Sequence, residues 1–153
     1  MTEPSNELLK SLLEAQGSTA YIQALGAEVT QAVTGQTTMR LPYSQKIVGN
    51  PDTGVVHVGV ITGLLDHACG MAVGSALGVT FGNQERRNTT SYATLDLRID
   101  YMRPAAPRAG VTAEAHCYKL TRSIAFVRAQ AWDADPADPI ATVQAAFMMS
   151  SRG

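Results

Sequence analysis

Residues 57–82 read HVGVITGLLDHACGMAVGSALGVTFG, an apolar run studded with glycine that keeps one carboxylate, Asp66. Between His57 and Glu85 the only other ionisable side chains are His67 and Cys69. Wound as an α-helix at about 100° per residue, Gly59, Gly63, Gly70, Gly74 and Gly78 fall within an arc of roughly 100°, and Asp66 projects onto the same side. Apolar residues from Val60 to Ala76 take up most of the remaining circumference. This predicts a central helix over 57–80 that is enclosed, without one wet face. Five interior glycines, each costing about 1 kcal/mol relative to alanine, would sink that helix in isolation. Packing has to compensate, and a glycine stripe invites a close backbone, either strands wrapped round the helix or the same helix of a second subunit.

A transmembrane reading of the run meets the cost of a central charge, since Asp66 and His67 sit near its middle and no basic cluster flanks it. The N-terminus is acidic and amphipathic, unlike a secretory signal. The chain has 153 residues, 45% of them hydrophobic, enough for one globular domain spanning 1–153 with a real core. A net charge of −1 supplies no footprint for nucleic acid or an anionic membrane. The two cysteines, Cys69 and Cys117, fit a reducing cytoplasm and no disulfide. Cys69 in an apolar helix reads as a packed thiol and not a nucleophile. Two cysteines and three scattered histidines make no metal-ligand cluster, so no metal site is expected.

Outside the central run, Leu8, Leu9, Leu12 and Leu13 lie at helical spacing and stop at Gly17, a short N-terminal helix within 1–17. Residues 26–44 are rich in Thr and Val and broken by Gly35, a bent strand pair. Strand signals follow at 91–102, 110–119, 123–132 and 140–150. In the first of these, Leu95, Leu97, Ile99 and Tyr101 alternate with Asp96, Arg98 and Asp100, predicting a half-buried strand with the apolar set inward. Short connections favour antiparallel neighbours. The expected class is α+β, a curved antiparallel sheet around one long helix.

With Asn50, His57-Val58-Gly59, Asp66 and the later segment LRIDYMRPA at 97–105, the chain resembles the hotdog-fold acyl-CoA thioesterases of the PaaI type. The family's usual pattern is His-Gly-Gly with the acid nine positions after the His; here that spacing is kept and Val58 replaces the first Gly. The resemblance implies that the backbone N–H of Val58 polarises the thioester carbonyl, and valine retains that N–H. Gly59 N–H is a second candidate. It further implies that Asp66 activates water or attacks the carbonyl itself, that Asn50 and His57 orient the carbonyl or the water, and that Thr94 holds the water against Asp66. His67 and His116 have no counterpart in the pattern and read as structural, with His116 on the wetter strand face.

The family also implies a homo-oligomer, a dimer or dimer of dimers, with each site using Asp66 of one subunit and Val58 of the other. Coenzyme A would enter as part of an acyl-CoA substrate, its phosphates met by Arg103, Arg122 and Ser123, with no metal or redox cofactor. Two other readings share the fold: a non-catalytic acyl-CoA-binding domain, and a hydratase or dehydratase. The first has no need of a carboxylate beside the thioester, and the second needs a catalytic His with its acid placed differently.

Overall fold

The computed structural model describes residue 10 and residues 19–80 and 90–151. The N-terminal helix expected within 1–17 therefore lies outside the described residues, Lys10 apart. The first described element was not expected: α1 (Ala20–Leu25), one and a half turns long. Thr19 caps it by accepting from Ile22 N–H, and Gly26 ends it in the left-handed region at φ 77°.

The chain continues through β1 (Glu28–Val33) and β2 (Gln36–Leu41), then a 3-10 turn (Gln45–Ile47), β3 (Val48–Asn50) and β4 (Val55–Val56). Next come the long helix α2 (Val58–Thr80) and β5 (Thr90–Tyr101), β6 (Val111–Leu120), β7 (Ile124–Trp132) and β8 (Ala141–Ser151). Six strands form one sheet in the order β1-β2-β6-β7-β8-β5, every neighbouring pair antiparallel. β3 and β4 form a separate small ladder. The sheet wraps α2, whose Leu64, Leu65, Ala68, Cys69, Ala72 and Val73 are fully buried and which packs chiefly against β6, β2 and β7. This is the hotdog arrangement. Although α2 is long and apolar enough to cross a membrane, two thirds of that stretch is buried inside the sheet.

Two buried hydroxyls tie the helix to the β1–β2 hairpin. Ser75 Oγ accepts from Gly35 N–H at 2.7 Å and donates to the Val33 carbonyl at 2.7 Å. Thr37 Oγ1 donates to the Ala68 carbonyl at 2.9 Å. Ser75→Ala would leave both Gly35 N–H and the Val33 carbonyl without this partner in the interior, so we expect a loss of about 2 kcal/mol. A lowered urea midpoint at unchanged slope is the corresponding measurement.

Two expectations need correcting. Enclosure of α2 is complete only from Met71 to Leu77; earlier, Val58 and Gly59 are exposed and Gly63, Asp66, His67 and Gly70 half-buried. The glycine side is thus the open side. Within the chain, the glycines make room for aromatic rings and not for a strand backbone: a Cβ on Gly63 would meet the Tyr21 ring at 2.9 Å, and one on Gly74 the Tyr92 hydroxyl at 2.6 Å.

The alternation in β5 also breaks. Thr94 pairs with Phe147 and Asp96 with Ala146, so Leu95 is the extra residue of a bulge and is 59% exposed. Before the bulge Tyr92 and Thr94 share the helix-facing side, and after it Leu97 and Ile99 do, because these residues pair with the inward Met149, Phe147, Ala145 and Val143. Tyr101 follows the same parity but remains 47% exposed.

Candidate active site

The start of α2 is built around His57. Its backbone N–H donates to Ile47 at 2.9 Å, which fixes it beside β3, where Gly49 is needed: a Cβ there would lie 2.9 Å from His57 Cα. His57 then caps the helix. Its Nδ1 accepts from Gly59 N–H at 2.9 Å, and its carbonyl accepts from Val60 at 3.0 Å and Ile61 at 3.4 Å. An imidazole nitrogen that accepts carries no proton, so this geometry assigns the ring proton of neutral His57 to Nε2.

Capping therefore uses the N–H groups of Gly59, Val60 and Ile61. Val58 N–H is the one in the first turn without an acceptor among the described residues, and Val58 is 52% exposed. It points outward with the positive end of the helix dipole, where negative charge is favoured. Gly59, the second candidate donor, has its N–H engaged by His57. On the other side of this turn Thr62 Oγ1 donates to the Val58 carbonyl at 3.0 Å and is hydrogen-bonded to the Tyr101 hydroxyl, which anchors the end of β5 on the helix start.

Asp66 follows two turns later. Its Oδ1 accepts from Thr94 Oγ1 at 2.8 Å, and both line a cavity of about 250 Å³ with Gly70, Met71, Tyr92 and Phe147. The Tyr92 and Phe147 rings meet edge to face, centroids 6.4 Å apart, and give the cavity a packed aromatic wall. His67 also lines the cavity. One carboxylate oxygen is held by the hydroxyl, and a carboxylate has a second to offer. Cys69, one helical turn from Asp66, does not compete as a nucleophile: burial, with Asp66 adding to it, pushes its thiol up to about 12. Burial raises Cys117 as well, and both thiols are free.

The remaining candidates are dispersed. Asn50 is exposed, with its Oδ1 accepting from Asp52 N–H at 3.0 Å and its carbonyl from Gly54 N–H at 2.8 Å, in the turn between β3 and β4. Its side-chain oxygen thus helps to hold this turn, and its amide NH₂ donates to no acceptor found among the described residues.

Arg103 is not free for a phosphate. Its Nη1 and Nη2 donate to Asp133 at 3.0 and 2.8 Å, Nη2 donates to the Asp138 carbonyl at 2.7 Å, and Nε lies 3.0 Å from the Asp138 carboxylate. This bidentate clamp joins the β5–β6 and β7–β8 connections, and a partner thirty positions away is invisible in local sequence. Arg122 and Ser123 are exposed in the β6–β7 turn. Arg103 N–H bonds to Ile140 at one end of β8 and Ser123 accepts from Met149 at the other, so the two arginines stand roughly 30 Å apart along the strand. One protomer cannot bring them to the same phosphate.

The Arg103 guanidinium, with N–H donors from Ala106 and Ala134, holds the Asp133 carboxyl well below the usual carboxylate range. A depressed folded value contributes stability that is present above the ordinary Asp range and lost as pH falls toward the folded value. Asp133→Asn is therefore expected to lower the urea midpoint at pH 7 and to flatten its decline below about pH 4 relative to the parent.

Among relatives, the thioesterase superfamily model matches residues 53–140, which contain both the helix start and Asp66. The medium/long-chain acyl-CoA thioesterase YigI of Salmonella typhimurium is 30% identical over 133 residues, 84% of each chain. A crystal structure of a Pseudomonas aeruginosa protein is 43% identical, with a TM-score of 0.75 over 95% of this chain and 98% of that one. The Escherichia coli PaaI protein of the phenylacetic acid degradation operon shares the fold at 14% identity, with a TM-score of 0.75 over 95% and 94% of the two chains. A capped helix start with one open N–H, a carboxylate two turns along it and these matches lead to one conclusion: the chain is a thioester hydrolase and belongs to the thioesterase superfamily.

Proposed function

We propose that this protein hydrolyses an acyl- or aryl-CoA to the free acid and coenzyme A. The observation that carries the proposal is the pair formed by the open Val58 N–H and the Thr94-held Asp66 on one helix. As the thioester carbonyl is attacked, its oxygen gains negative charge, which a preorganised N–H at a helix start stabilises. Asp66 either removes a proton from water as it adds to the carbonyl carbon, or attacks that carbon itself to give a mixed anhydride that water then opens. In both routes the C–S bond breaks and coenzyme A leaves as its thiol, with water and the chain's own groups sufficing and no metal or redox cofactor entering.

Eight residues of helix separate Val58 from Asp66 by about 12 Å. One thioester carbon cannot meet both within a single chain. We therefore assign each site to two subunits, Val58 from one and Asp66 from the other. The exposed apolar side chains Tyr21, Val58, Leu95, Tyr101 and Met102, together with the outer edge of β5, which pairs with no strand among the described residues, supply a face for such a partner. His57 presents Nε2–H beside the donor, Asn50 offers its amide, and Arg122 with Ser123 is the phosphate-binding candidate that the ion pairs leave open. In this reading Arg103 orders the loops and does not touch coenzyme A. The part of the cavity formed by Met71, Tyr92 and Phe147 is mainly apolar, which suits the medium and long acyl chains named for the YigI relative as well as an aryl group.

Thiol release, followed with a free-thiol reagent over benzoyl-, phenylacetyl-, short-chain and long-chain CoA thioesters, tests the proposal. Release from at least one class supports it. Tight acyl-CoA binding with no release would instead indicate a sensor domain, and hydration of an enoyl-CoA without thiol release a hydratase.

A further inference from the structure

The cavity beside Asp66 runs between α2 and β5. Asp66, Gly70 and Gly74 follow one another along one side of the helix in four-residue steps, each about 6 Å along the axis. Across from them, Thr94 and then Tyr92 face the helix from β5. Thr94 reaches Asp66 at 2.8 Å. Tyr92 reaches the helix further on: a Cβ on Gly70 would lie 3.8 Å from its Cε2, and one on Gly74 would lie 2.6 Å from its hydroxyl. The ring therefore spans the groove from strand to helix. Gly70 and Met71 line the cavity, whereas Gly74 does not and is buried. A side chain at position 74 would collide with the ring, so the glycine there is what lets Tyr92 lie across the groove.

We propose that Tyr92 determines acyl length, as the end wall of an acyl channel that starts at Asp66. The inference rests on the reading above, in which a thioester carbonyl is attacked at Asp66. Of the two arms of such a substrate, the acyl arm gains by leaving water, and coenzyme A with its phosphates does not. The cavity offers that arm one direction. Buried Met71 and Phe147 lie with Tyr92 around Gly70, whereas Thr19, His67 and Thr94 supply polar groups to the rest of the lining. From Asp66 the ring is met between about 6 and 12 Å along the helix axis. An extended chain, at about 1.3 Å per carbon, covers that distance in roughly five to nine carbons. Methylenes within that length are buried in the channel; any beyond it have to turn out into solvent or displace the ring. Each buried methylene is worth about fourfold in binding, and each solvated one nothing. The dependence on chain length thus has a break, and Tyr92 sets where it falls.

Straight acyl groups of about two to sixteen carbons, at submicellar concentration, test it with two readouts: kcat/KM for thiol release from the CoA thioesters, and Kd of the matching S-alkyl-CoA thioethers, which cannot be hydrolysed. For the parent, both are expected to improve about fourfold per methylene and to level off by about ten carbons. Tyr92→Val, a small residue suited to a strand, is expected to carry the rise about two to four carbons further. That amounts to at least a tenfold gain for the longest chains relative to a chain at the parent's break. Tyr92→Leu, nearer the parent in volume, moves the break in the same direction by about one or two carbons, and Tyr92→Phe, which keeps the ring, restores it. Ratios between substrates on one preparation cancel the fraction of folded protein. A parent that keeps gaining to sixteen carbons, a valine or leucine variant that breaks where the parent does, or a phenylalanine variant that follows valine each overturns the proposal. Thiol release separates the two readings: a break in thioether affinity without release from any thioester defeats the catalytic assignment alone.

Discussion

Asp66→Asn is expected to lower kcat by about 10³-fold while leaving the fold and subunit association intact. Asparagine keeps an oxygen that can accept from Thr94 Oγ1, so the 2.8 Å contact survives. What it loses is the ability to take a proton from water or to form an anhydride, and both proposed routes need one of these. Thr94→Ala should cost only about tenfold, since it frees the carboxylate to swing without removing it. The readout is thiol release under saturating substrate, with circular dichroism and sedimentation as controls. Parent-like turnover in Asp66→Asn would remove Asp66 from the chemistry, and dissociation of the subunits would make it a structural acid of the interface.

Val58→Pro is expected to lower kcat by about 10²- to 10³-fold, the loss usual for a single oxyanion donor. The substitution is informative because it deletes one hydrogen and little else. Proline is favoured at the first position of a helix, where its fixed φ suits the turn and the missing N–H has no helical partner. Val58 occupies that position, just after the His57 cap, and its N–H has no acceptor among the described residues. Val58→Ala keeps the N–H and should retain kcat, with any change appearing in KM because the side chain is 52% exposed. If proline and alanine behave alike, the carbonyl is polarised elsewhere.

The helix and the four long strands were legible because each carries its period over most of its length, although β5 is interrupted at Leu95 and β6 between Cys117 and Lys119. The glycine-rich run from His57 and the alternation in residues 111–120 needed only their local pattern to give bounds within a residue or two of those found. Asp66 stood out as an acid in an apolar run, and the resemblance then supplied its spacing from His57. Elsewhere the determinants are distant or too brief. The single bulge residue Leu95 decides whether Thr94 faces the acid, yet it looks like one more apolar position in an alternating strand. α1 shows its Thr19 and Gly26 caps but has too few turns to show a period. Gly49 signals nothing until His57 is packed against it, and Arg103 looked like a phosphate ligand until the fold delivered Asp133 and Asp138. The use of Gly59 N–H by His57, which leaves Val58 N–H as the open one in the first turn, is a matter of side-chain rotation that no spacing encodes.

Placing the donor and the acid on one unbroken helix has a consequence for communication. In the two-subunit arrangement proposed above, each rod would serve two substrates, lending its first turn to one and its third turn to the other. Leu64, Leu65, Ala68, Cys69 and Ala72 are fully buried and hold it along the sheet side, so a displacement would carry it as a unit and not turn by turn. In that arrangement a tilt drawing Val58 toward a substrate at one end would swing Asp66 at the neighbouring site through the same angle, and the two reaction centres would share one mechanical coordinate.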